Sequence, residues 1–345
     1  MKSKKLIENG IVLTVNDEND VFQPGYVLID GDRIADIGPG EPPDEIRFDG
    51  VEMINAAGYV VMPGLINAHV HLQQTLIRGL SEDRSLRPWF LEIAEPAYMH
   101  MTEAEILPAT LVGIVENIRG GATSVTDNMT VRVTPGAFEA SLQAGKESGI
   151  RYKLARGINE RNTPEKLVEE QGTILDHMRY LYETWHNSSN GRIRVDFNPH
   201  VIHRMTDDTL LKIHELALEW GVGIHLHISE SMENVGPWIE KNGNRPVEHL
   251  ANLGILGPWF QLAHSVWLDD HEIELIAESG ACVVHNPVSN MAIGSGVAPI
   301  VKLNAAGATV ALGTDGQCVS SGQEMIDVLK WATHLAKSQT SMQWP

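Results

Sequence analysis

The sequence predicts an α/β chain in which a small β unit over residues 1–60 precedes a (β/α)8 barrel over residues 61–345. Three observations carry this prediction. After Pro63, short runs rich in β-branched residues recur eight times, with amphipathic helical stretches between them. Before residue 58 there are strand and turn signals but no helical period. Titratable residues stand at the ends of nearly all eight runs, where packing alone would favour apolar ones.

The small unit reads as Ile11–Val15, Tyr26–Asp30 and Arg33–Ile37. Gly31-Asp32 turns between the last two, and Gly38-Pro39-Gly40 closes the third. The barrel strands are expected at Gly64–His69, Ala122–Asp127, Arg151–Gly157 and Arg192–Pro199, then at Val222–Ile228, Trp259–His264, Ala281–His285 and Ala308–Asp315. Between them, Thr206–Trp220 places Leu210, Leu211, Ile213, Leu216 and Ala217 on one helical face, and Asp269–Glu278 reads similarly. One helix, Glu324–Ser338, follows the eighth strand, so the ring is expected to close while the small unit receives no later strands. An apolar edge would then remain on that unit for a second copy to cover, and a homo-oligomer is expected.

Composition excludes several function classes. The 345 residues are 43% hydrophobic and carry a net charge of −19, from 26 basic and 45 acidic groups. That balance argues against binding a phosphate backbone, which needs clustered Lys and Arg. Cys282 and Cys318 are the only cysteines, too few for a disulfide framework or a cysteine zinc site. No apolar run approaches the length of a membrane span. The basic start, Met1-Lys-Ser-Lys-Lys5, leads into Leu-Ile-Glu-Asn-Gly10 and not into an apolar segment, so a cytoplasmic location is expected.

The chemistry is written at the strand ends, where barrel active sites lie. The first strand ends in His69-Val70-His71. Two residues apart on a strand, the imidazoles share a face about 6–7 Å apart and can close on one metal ion; on a helix they would diverge. Strand four ends in Asn198-Pro-His200, and strand five in His225-Leu-His227-Ile-Ser-Glu230. Strand six ends in His264, strand seven in His285-Asn-Pro287 and strand eight in Thr314-Asp315-Gly316. A lone histidine is more often structural than a ligand. A full ordered set is not explained by packing. On spacing alone His225 and His227 are equivalent, since both share a strand face.

The block Pro63-Gly-Leu-Ile-Asn-Ala-His-Val-His71 resembles the amidohydrolase superfamily, and more narrowly its aminohydrolase branch. That branch holds S-adenosylhomocysteine/methylthioadenosine deaminases, guanine deaminases and s-triazine hydrolases. Further matches are Thr75–Gly79, His227–Glu230, His285–Asn290, Gly294–Pro299 and Gly313–Gly316, so the likeness spans essentially the whole chain. The resemblance implies a small β-sandwich beside the barrel. It implies metal ligands at His69, His71, His227 and Asp315, and selects His227 over His225. Three imidazoles and one carboxylate suit one Zn²⁺, or Fe²⁺. Binuclear relatives place a carboxylated lysine at the fourth strand's end; here it reads Asn198-Pro-His200, and Lys153 on strand three reads as structural.

The same resemblance implies catalytic roles for Asp315, Glu230 and His264. Asp315 takes the proton of a metal-activated water, Glu230 protonates a ring nitrogen, and His264 hydrogen-bonds the water or oxyanion. Arg156 and His200 match substrate-contacting positions, Trp89 lies in the long segment after strand one, and Tyr98 stands where nucleoside deaminases carry a ribose-binding glutamate. The expected activity is hydrolytic deamination of a purine-, pterin-, pyrimidine- or triazine-like heterocycle. Displacement of chloride or an alkylamine from a triazine is the alternative, and a non-catalytic metal-binding descendant is a third reading.

Overall fold

The structure is a computed structural model that describes residues 4–47, 50–131, 134, 136–320 and 322–340. It divides into two compact units, residues 1–64 and 65–345.

In the first unit, β1 (Lys4–Leu13), β2 (Val21–Asp30), β3 (Arg33–Pro39), β4 (Glu52–Asn55) and β5 (Val60–Val61) form one five-stranded sheet. The hairpins β1–β2 and β2–β3 are antiparallel, whereas β4 and β5 both run parallel to β1. The two-residue turn at Gly31-Asp32 works because Gly31 takes a φ of +66°, which costs a residue without Cβ nothing. Leu6, Tyr26 and Leu28 form the unit's core, with Ile46 and Val51 against them. The first strand stops at Leu13, short of the expected Val15, because Thr14–Asp20 folds into a turn in which Asn16 and Asp20 bond Thr14 and each other. Val15 there is exposed at a φ of +53°. Ile34, Met53, Ile54 and Val60 are also exposed.

The second unit is the barrel. Its strands are β6 (Leu65–His71), β7 (Ala122–Met129), β8 (Arg151–Gly157), β9 (Ile193–Asn198), β10 (Ile224–Ile228), β11 (Phe260–His264), β12 (Cys282–His285), β13 (Thr309–Leu312) and β14 (Asp315–Gly316). Neighbours along the chain are neighbours in space from β6 through β13, all parallel. The short β14 then pairs back onto β6 through Asp315↔Val70 and Gly316↔His71, which closes the ring. The eighth strand is therefore in two pieces, one facing each neighbour. At the break a Cβ on Gly313 would lie 2.5 Å from Asn286 Oδ1 and 2.8 Å from the His69 Cβ, so only glycine fits.

All five residues of β10 are buried, with Ile224, Leu226 and Ile228 alternating with His225 and His227. Leu154, Val195, Leu226 and Leu262 from the strands pack with Leu142, Ile174, Ile213 and Ile276 from the surrounding helices. Five non-glycine residues at or just beyond strand ends hold left-handed backbone: His200 (φ +49°), Ser229 (+49°), His264 (+72°), Ser265 (+49°) and Asp315 (+63°). Such conformations cost free energy and gather where side chains must be re-aimed.

Candidate active site

His69 and His71 end β6, His227 lies on β10, and Asp315 opens β14; all four are buried. Asp315 Oδ1 lies 3.3 Å from His69 Nε2 and 3.3 Å from His71 Nε2, and His227 Nε2 lies 3.3 Å from His71 Nε2. Four donors placed tetrahedrally at zinc–nitrogen bond lengths stand about 3.3 Å from one another. The spacings between Asp315 and His69, Asp315 and His71, and His227 and His71 are thus those of donors that share one ion, and the three imidazoles converge on one point. The buried His69 Nε2 has no hydrogen-bond partner, which is the condition of a ligand atom reserved for a metal.

The other ring nitrogen of each imidazole fixes its tautomer. His71 Nδ1–H donates to the Asn128 carbonyl at 2.6 Å, and His227 Nδ1–H donates to the His200 carbonyl at 3.0 Å. His69 Nδ1 lies 2.7 Å from His225 Nε2, whose own Nδ1 lies 3.2 Å from Gln261 Oε1. An amide oxygen only accepts, so His225 carries its proton on Nδ1 and its Nε2 accepts from His69. All three lone pairs on Nε2 thus face one centre. Burial keeps His225 and His227 neutral by pushing both well below the usual histidine range, and pushes His69 to about 4 against the pull of Asp315. Neutral imidazole is the ligating form. Burial alone would raise the Asp315 carboxyl, but the adjacent His69 and His71 imidazoles hold it well below its ordinary range. Ser289 Oγ–H donates to its second oxygen.

Glu230 follows β10 and is buried with its carboxyl 3.7 Å from His264 Nδ1; burial raises its pKa above the ordinary value. His264 Nδ1–H donates to Asn290 Oδ1 at 2.8 Å, which leaves Nε2 as an acceptor. A cavity of about 440 Å³ opens above these groups. His71, His227, Glu230, His264 and Asp315 form its buried floor, and Trp89, Phe90, Tyr98, His200 and Trp238 line its walls. The size falls within the range of small-molecule sites.

Of the residues singled out in the sequence, the structure gathers His69, His71, His227, Asp315, Glu230 and His264, and puts His200, Tyr98 and Trp89 on the cavity wall. Tyr98 Oη accepts from Gln74 Nε2 at 2.7 Å, and Trp89 Nε1–H donates to Cys318 Sγ at 3.1 Å, which places that thiol behind the wall. Arg156 does not line the cavity. It is wholly buried, bonds both carboxylate oxygens of Glu169 at 2.9 and 2.5 Å, and packs over the Phe138 ring. Lys153 pairs with Asp196 at 3.0 Å, away from the donor cluster. Sequence reasoning gave no role to Gln74, Asn128 or Gln261. Ser289 and Asn290 do lie in a stretch that carries the family likeness, and the His225-x-His227 alternation marks His225 as facing the same way as a ligand.

Comparison with known proteins agrees with this constellation. The Amidohydrolase family model matches residues 60–343. A 5'-deoxyadenosine deaminase of Methanobrevibacter smithii is 35% identical over 332 residues, 96% of this chain and 73% of that protein. A 5-methylthioadenosine/S-adenosylhomocysteine deaminase of Symbiobacterium thermophilum is 34% identical over 94% of this chain and 71% of its own length. The crystal structure of an adenosine deaminase from Xanthomonas campestris with bound zinc superposes with a TM-score of 0.89 at 26% identity, covering 98% of this chain and 74% of that one. With the matched family extending over the whole barrel and the donor cluster in place, the chain belongs to the amidohydrolase family.

Proposed function

We propose that this chain is a metal-dependent aminohydrolase that deaminates a purine-type heterocycle of the adenosine kind, holding one Zn²⁺ on His69, His71, His227 and Asp315. The observation that carries this is a buried carboxyl, Glu230, whose pKa burial raises, beside clustered imidazole and carboxylate donors on the floor of a heterocycle-sized cavity. A scaffolding protein has no use for such an acid. The named activities of the relatives at 34–35% identity support adenosine-type rings over triazines.

A bound divalent cation supplies Lewis acidity that makes water nucleophilic near neutral pH. Asp315 Oδ1 accepts that water's proton, and His264 Nε2 orients it by accepting its other hydrogen. Glu230 delivers its proton to the ring nitrogen adjacent to the attacked carbon, so negative charge never develops on the ring. Trp89, Phe90 and Trp238 hold the ring's faces and exclude bulk water. The proton taken up by Asp315 passes to the amino group and the adduct's hydroxyl proton returns to Glu230, so that ammonia leaves as the carbonyl forms. A homo-oligomer whose copies cover Ile34, Met53 and Ile54 of the small unit belongs to this reading, with light scattering as its check.

Ammonia release from adenosine, 5'-deoxyadenosine, guanine and a chlorotriazine tests the activity on chain loaded with Zn²⁺ and shown to hold one ion. The expected result is turnover of the adenosine-type substrates, lost in Glu230→Gln by at least about 10²-fold. Metal-replete protein that deaminates none of them overturns the proposal.

A further inference from the structure

The rim of the cavity carries a charge arrangement that deamination does not use. Arg87, Arg161 and Lys241 line it, and they arrive from three different connections: after β6, after β8 and at the end of the helix Met232–Asn242 that follows β10. His203, just beyond β9, sits among them. Its imidazole is pushed down to about 4, by burial first and then by the charges of Arg204, Arg161, Lys241 and Arg87. Arg204 is already paired with Glu95 at 3.0 Å. Among the described residues the side chains of Arg87, Arg161 and Lys241 enter no ion pair or hydrogen bond.

Composition does not account for this, because the chain as a whole carries a net charge of −19. Cations gathered without a counter-ion repel one another, and a low-dielectric cleft strengthens the field they make. Of the acidic groups on the lining, Glu230 and Asp315 belong to the floor; Glu233 stands on the rim, 3.5 Å from Ser85 Oγ. Two guanidiniums and an ammonium on the lining of one cavity supply the charge and N–H donors that pair with a tetrahedral or planar oxyanion.

We propose that this rim is an anion subsite, in which Arg87, Arg161 and Lys241 receive a phosphate or carboxylate on the substituent that the substrate carries away from its ring. The subsite rests on reading the floor as a heterocycle deaminase, and it narrows that reading from neutral to negatively charged substrates. Floor and rim belong to one continuous cavity, so a single ligand spans both.

Calorimetry on the Zn²⁺-loaded chain compares adenosine, adenosine 5'-monophosphate and the 5'-carboxylic acid of adenosine. At least one anionic ligand should bind about tenfold more tightly than adenosine, with an advantage that shrinks as salt rises. In R161Q/K241Q, and separately in R87Q, the ratio between anionic and neutral ligand should collapse towards one. The phosphate and carboxylate arms decide which anion is meant. Equal affinity for all three ligands, no binding of either anion, or a preference that survives the substitutions overturns the subsite. Ammonia release measured on the same samples reports separately on the chemistry. A charge preference without ammonia from any ligand sinks the deaminase reading and leaves the subsite standing.

Discussion

The pKa of the buried Glu230 carboxyl is raised because water is excluded around it, and that has a thermodynamic sign. A carboxyl whose pKa is higher folded than unfolded binds more protons in the native state. Its burial therefore costs nothing below the ordinary glutamate pKa of about 4.3 and costs increasingly more as pH rises towards the folded value. Metal-free Glu230→Gln should then melt about 2–4 °C above the metal-free parent at pH 7, with the gain vanishing near pH 4, while activity is lost. A variant that melts lower at pH 7 would contradict burial as the cause. The relay from Gln261 through His225 to His69 makes a second residue-scale prediction. Gln261→Leu removes the acceptor that fixes both tautomers and should weaken Zn²⁺ binding about 10- to 100-fold in a chelator competition. Gln261→Glu keeps an acceptor and should retain most of the affinity. The alternation His225-x-His227 was visible in the sequence, but a strand face says only that two side chains point the same way. Which of them reaches the ion depends on depth, and the deeper one became the orienter. Arg156 shows the same limit: its residue type and strand position were legible, but Glu169 draws it away from the cavity.

At the scale of elements, β7 and β8 carry a buried cluster that supports the turn after His71. Asp127, at the end of β7, accepts from Tyr152 Oη at 2.5 Å and Ser141 Oγ at 3.0 Å, and from the Leu72 amide at 3.1 Å. Tyr152→Phe deletes one donor to a buried carboxylate and should cost about 1–3 kcal/mol in chemical denaturation. Loss of stability without any fall in zinc affinity would show that the cluster does not reach the metal ligands. The strands themselves were readable to within one or two residues at most ends, because each apolar run is bracketed by turn residues. Helix starts were equally plain: Thr206 caps Asp207–Trp220 by accepting from the Thr209 amide, and Asp269 does the same for Asp270–Ser279. The division of the eighth strand was not readable. It arises because the strand must serve two neighbours around a closed ring, a constraint that no local pattern encodes.

For the whole molecule, the donors come from strands far apart in sequence, so the metal site exists only in the folded chain. Stripping the ion with a chelator should lower the melting temperature by several degrees; an ion present at 1,000 times its Kd contributes about 4 kcal/mol to the folded state. An unchanged melting curve would mean that the donor set does not hold the ion tightly. The architecture was legible because eight repeats of one strand-and-helix rhythm admit few arrangements. The strand-end cluster of histidines and carboxyls was legible because barrel chemistry sits at strand ends, whereas preferring His227 to His225 took the family resemblance. The cation rim was not, since Arg87, Arg161 and Lys241 lie in unrelated connections that only the closed ring brings together. That ring is fastened between its first and last strands by the pairs Asp315↔Val70 and Gly316↔His71, and Asp315 and His71 are also proposed metal donors. An ion held there would be a buckle across the barrel's own seam. Backbone amides at Val70, His71, Asp315 and Gly316 should exchange with deuterium in step with zinc departure, so that the enzyme loses its metal only as fast as its barrel unlatches.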